Sequence, residues 1–94
     1  MTIQDFKNSL NQNTPTHNLS VLLQALWWDA KGNWKQAHDL IDHLNDAKSA
    51  HIHAYLHRVE GDHWNACYWY NRAKQPEFKG TLQEEWDYLL EKYI

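Results

Sequence analysis

A glycine turn written twice, 29 residues apart, constrains this chain more than any other feature. Shifting the sequence by that interval lays Gly32 on Gly61, Asn33 on Asp62, Ala37 on Ala66, Ile41 on Tyr70 and Leu44 on Ala73. Upstream of the glycine, the same shift lays Leu23, Leu26, Trp27 and Ala30 on Ile52, Tyr55, Leu56 and Val59. Apolar residues recurring three and four positions apart make one buried face of a helix. A glycine followed by Asn or Asp supplies a left-handed helix end and then a side-chain cap for the next helix. Two copies of helix, tight turn and helix are the economical explanation.

No segment alternates apolar and polar residues as a strand would, so the expected fold is all-α. Ile3, Phe6 and Leu10 mark a short first helix, and Pro15 within NQNTPTH ends it in a polar linker. A second helix is expected from about Asn18, with Leu19, Leu22, Leu23, Leu26, Trp27 and Ala30 on one face and Val21, Ala25 and Trp28 beside them. Asn33 and Gln36 restart the chain as a helix carrying Trp34, Ala37, Leu40, Ile41 and Leu44. After the second copy, Gln75, Pro76 and Gly80 interrupt the pattern. Thr81 and Glu84 then form a capping box ahead of Leu82, Trp86, Leu89, Leu90 and Tyr93. The organisation expected is one all-helical domain over 1–94. It comprises an N-terminal helix and linker (1–17), a first hairpin (18–46), a second hairpin (47–76) and a capping helix (81–94) that covers the end of the stack.

A chain of 94 residues buries only about 60 to 65% of its unfolded surface, so any site has to share residues with the core. Nine Lys and Arg against twelve Asp and Glu leave a net charge of −3, with no basic arm to follow a phosphate backbone, which argues against nucleic acid. No basic segment followed by an apolar run opens the chain, and no long apolar run occurs later, so neither export nor membrane insertion is expected. The lone Cys67 fits a reducing cytoplasm.

Chemistry-bearing side chains concentrate in HAYLHRVEGDHWNACYWYNRA, residues 53 to 73. Within it, EGDHWNACYWYNRA resembles the turn and second helix of tetratricopeptide and Sel1-like repeats: Gly61 and Asp62, then Ala66, Tyr70 and Ala73, with Trp69-Tyr70 matching the Sel1-like Trp-Tyr pair. The first copy resembles them through Gly32, Trp34, Ala37 and Ile41. The unit here is shorter than the 34 residues of a tetratricopeptide repeat, and no proline closes the first copy. The block also resembles a family of short bacterial proteins of unknown function, which implies a bacterial origin and no defined chemistry.

Three uses of the block compete. His53 and His57 stand one helical turn apart, as do His63 and Cys67, and together they could make a His₃Cys metal set. No ion or other cofactor is favoured, since sites of that size usually show more cysteines or carboxylates. Catalysis is not expected either: Cys67 sits mid-helix between bulky residues, and Asp62 is more simply a helix cap. Binding is favoured, because Trp, Tyr and Arg dominate interface hot spots and His51, Arg58, Trp64, Tyr68 and Arg72 lie outside the main apolar rows. Trp27, Tyr55, Trp69 and Tyr70 share those rows and belong to the core. Arg58 has Asp62 within one turn as an ion-pair partner, and His38 with Asp42 and Asp39 with His43 are spaced as solvated surface pairs. The leading expectation is a non-catalytic interaction or scaffold module of a bacterial cytoplasm. Its partner is an unidentified protein, or a second copy of the chain. The alternative is a small-molecule or metal-binding protein using the histidine flank or an Arg58 and Arg72 flank.

Overall fold

The computed structural model describes residues 1–94 as six helices with no strands. They are α1 (Ile3–Ser9), α2 (Val21–Ala30), α3 (Trp34–Ile41), α4 (Ala47–Val59), α5 (His63–Ala73) and α6 (Leu82–Tyr93). Every helix begins on a side-chain cap: Thr2, Ser20, Asn33, Asp46, Asp62 and Thr81 each accept a hydrogen bond from a first-turn backbone N–H. Such caps satisfy donors that the helix itself leaves open. The second helix starts at Val21 rather than Asn18, because Asn18 adopts a positive φ of 66° and Ser20 supplies the cap.

The two glycine turns have the same hydrogen bonds at the 29-residue offset. Gly32 N–H donates to the Asp29 carbonyl and Asn33 N–H to that of Trp28; Gly61 N–H donates to Arg58 and Asp62 N–H to His57. Both glycines are left-handed, with φ of 82° and 81°, which completes the Schellman geometry at each helix end. The following caps agree as well, Asn33 at φ −108°, ψ 76° and Asp62 at φ −97°, ψ 80°.

Helices α2 and α3 pack against each other, as do α4 and α5, and α4 also meets α2, α3 and α6. That central position explains its burial from Ser49 through His57 without interruption. The main core joins Phe6 of α1, Leu23, Leu26 and Trp27 of α2, Ile41, Ile52, Leu56, and Trp86, Leu89 and Leu90 of α6. A smaller cluster of Ala54, Ala66 and Tyr70 seals α4 to α5. Buried indoles keep their N–H groups bonded: Trp27 donates to Ser9 Oγ, Trp34 to the Leu56 carbonyl and Trp86 to the Leu26 carbonyl. No helix is long and apolar enough to cross a membrane.

Candidate functional site

Helix α5 has two unlike faces. Its inner face buries Ala66, Tyr70 and Ala73, and the Tyr70 hydroxyl donates to Glu85 of α6. Its outer face carries Trp64, Tyr68 and Arg72 at four-residue spacing, which aligns them along one side of a helix. Trp64 is 75% exposed and Tyr68 44%, and their rings lie nearly parallel, 11° apart in plane with centroids at 6.2 Å. The Arg72 guanidinium lies 5.8 Å from the Tyr68 ring and 5.3 Å from that of Trp69, with Nη1 donating to the Tyr68 hydroxyl at 3.3 Å. Tyr68 also meets Trp69 edge-on. These contacts restrict three long side chains.

Two of the five residues expected on a binding surface belong to the interior instead. His51 is 2% exposed and sits among the rings of Tyr70, Tyr88 and Tyr93, its Nδ1 hydrogen-bonded to the Tyr93 hydroxyl at 2.7 Å. Burial, helped by the charge of Lys92, pushes its pKa down to about 4. Arg58 does not pair with Asp62, which is occupied in capping α5. It donates to Glu85 at 2.6 Å and to the Gly80 carbonyl at 2.9 Å, so it ties α4 to α6 and to the segment before it. Arg58 and Arg72 therefore do not act as one flank. Glu85, wholly buried, is the residue that sequence reasoning missed. Its position four residues before Leu89 placed it in the inward row of α6, but its charge argued for solvent.

The expected His₃Cys set divides in two. His63 and Cys67 approach Glu77, with His63 Nε2 to Cys67 Sγ at 3.4 Å and His63 Nδ1 to Glu77 Oε1 at 3.4 Å, on the exposed side of α5. His53 and His57 turn toward α3, where His38 joins them, one nitrogen or ligating atom from each lying within 4.8 Å of the others. His38 Nε2 and His53 Nε2 are 3.0 Å apart, and His57 Nδ1 is 2.6 Å from Glu60 Oε1. Trp69 lies flat on His53, with centroids at 3.8 Å, and Trp34 stacks on His38 at 4.7 Å. Trp69 is thus half-buried, a wall of this cluster more than a part of the central core. His38 is likewise turned inward, while its partner Asp42, 3.7 Å away, remains exposed. Asp39 is held by Lys35 at 2.8 Å.

Elsewhere, a cleft of about 500 Å³ opens between α1, α2, α4 and α6, lined by Leu10, Asp29, Tyr55, Val59 and Trp86 among others. The Tyr55 hydroxyl donates to Asp29 Oδ2 at 2.6 Å. Burial raises the pKa of Asp29, and this hydrogen bond offsets part of the rise. No protein-family model, curated protein or solved structure matches the chain.

Proposed function

We propose that this chain is a non-catalytic protein-interaction module of the bacterial cytoplasm and that it binds through the outer face of α5. The carrying observation is Trp64, three-quarters exposed yet stacked on Tyr68. A large apolar ring held in water by its neighbours loses little conformational entropy on binding and gains its burial there. Arg72 beside it adds a cation for an acidic or carbonyl-rich partner. A degenerate helical repeat, of the tetratricopeptide or Sel1-like kind, is part of the same reading, supported by the matching glycine turns.

The test uses tagged wild-type chain and a Trp64→Ala/Tyr68→Ala/Arg72→Ala variant in pull-downs from the source cells, with bound proteins quantified. The reading requires a partner retained stoichiometrically by the wild type and lost by the variant at unchanged Tm. Equal retention by both would refute it.

A second reading rests on the cleft at Asp29 and Tyr55, where a half-buried carboxyl and a phenol meet an apolar wall as in small-molecule sites. Asp29→Asn would then weaken a ligand found by screening, without touching the α5 face.

A further inference from the structure

We propose that His38, His53 and His57 form a binding site for a divalent transition-metal ion of the zinc class. The inference goes beyond the interaction reading and does not depend on it. Three observations carry it.

Convergence is the first. His53 and His57 are one turn apart on α4, and His38 reaches them from α3, so two helices supply three imidazoles around one point. Tetrahedral zinc places nitrogens about 2.0 to 2.1 Å from the metal, hence about 3.4 Å from one another. The His38 and His53 Nε2 atoms stand at 3.0 Å, and the full set within 4.8 Å. Binding an ion therefore requires the facing pair to part by about 0.4 Å.

The second is the support around the rings. Glu60 holds His57 Nδ1 at 2.6 Å, which fixes the ring and leaves Nε2 as its free donor atom. A carboxylate on the far nitrogen is the usual outer-shell partner of a zinc-bound histidine. Trp69 and Trp34 press on His53 and His38, so those planes are set by packing rather than by solvent.

The third is what the cluster lacks. His53 is 2% exposed, and its Nδ1 has no hydrogen-bond partner. Facing Nε2 atoms at 3.0 Å satisfy each other only when one is protonated and the other bare. Those two nitrogens therefore have to settle into opposite tautomers unless something else takes their lone pairs. An ion would accept the lone pairs of both facing nitrogens, each ring keeping its single proton on Nδ1. Asp42 lies exposed 3.7 Å from His38, outside the set of mutually close ligand atoms, and water can supply the fourth ligand. Imidazole donors suit zinc, nickel and copper above magnesium or calcium. A bound ion would staple α3 to α4.

The experiment is calorimetric titration of the metal-free full chain with Zn²⁺, with Co²⁺ absorption as a probe of tetrahedral nitrogen ligation. The wild type should take up one equivalent, its Tm rising with metal concentration. His38→Gln, whose side chain is 19% exposed and whose folding is checked by its metal-free Tm, should weaken binding at least 100-fold and abolish the Co²⁺ bands. Glu60→Gln should weaken it by about 10- to 100-fold through the outer shell. Cys67→Ser, which touches only the exposed His63 and Glu77 group, should change nothing. No uptake by the wild type would overturn the proposal, as would binding that survives His38→Gln and is lost in Cys67→Ser.

Discussion

Arg58 and Glu85 form an ion pair that joins α4 to α6, and the carboxylate is wholly buried. Glu85 accepts from Arg58 through Oε1 and from the Tyr70 hydroxyl through Oε2, so three helices meet at one carboxylate. Two charged-group hydrogen bonds satisfy a buried anion that would otherwise be too costly to hold ionised. Removing the cation alone strands that anion. Arg58→Met should therefore destabilise the protein by about 3 to 5 kcal/mol, whereas Arg58→Met combined with Glu85→Leu should recover much of the loss. Urea unfolding of the single and double variants measures both. Equal losses would mean that the pair is not the reason Glu85 is tolerated.

His51 makes the fold sensitive to acid. Its folded pKa lies at about 4, below the ordinary 6.5, so the unfolded chain binds the proton more readily. Stability is full above pH 6.5 and falls as pH drops from there toward 4, by up to about 3 kcal/mol from this residue. The groups facing it are Tyr70 on α5 and Tyr88, Lys92 and Tyr93 on α6, none of which is an anion that could hold its charged form. His51→Gln should flatten that part of the Tm against pH curve, even where its Tm at pH 7 is lower. An unchanged slope would assign the acid response to other groups.

Lys74 ends α5 in the left-handed region, with φ 58° and ψ 40°, the role that glycine plays after α2 and α4. A side chain there costs about 1 to 2 kcal/mol, and glycine's extra freedom in the unfolded chain returns part of it. Lys74→Gly should stabilise by about 0.5 to 1 kcal/mol, read as a Tm higher by a few degrees. Gly61→Ala should do the reverse. Nothing lies within 4 Å of the added methyl, so its cost isolates the backbone conformation.

The two faces of α5 should separate by truncation. Tyr70→Ala removes a buried ring and leaves Glu85 Oε2 without its donor, for a loss of about 3 to 5 kcal/mol. Trp69→Ala, half-buried on His53, should fall short of that. Trp64→Ala should stay within about 0.5 kcal/mol of wild type, because it has little burial to lose. Thermal melts of the three rank them directly.

Local chemistry made much of the fold legible in the sequence. Gly32 and Gly61, the Thr81 and Glu84 box, and the row Trp86, Leu89 and Leu90 each act within a few residues of themselves, and each stands where spacing placed it. The site was less legible because its residues are assigned by contacts between helices. His38 lies fifteen positions before His53, and Arg58 twenty-seven before Glu85, distances over which helical periodicity carries no information. Spacing does not rank the faces of α4, which meets four other helices, so it leaves His51 outside the apolar row although α6 covers it. Trp64, Tyr68 and Arg72 share one side of α5 because their spacing and contacts lie within a single helix.

If a partner covers the outer face of α5 in the cell, as proposed, that face should crosslink to it. The most direct measurement replaces Trp64, and separately Lys35 on the exposed side of α3, with a photo-crosslinking phenylalanine analogue and irradiates living source cells. A discrete covalent adduct of one protein, or of a second copy of the chain, is expected at position 64 and none at position 35. An absence of adducts at both positions, or the same diffuse pattern at each, would contradict it.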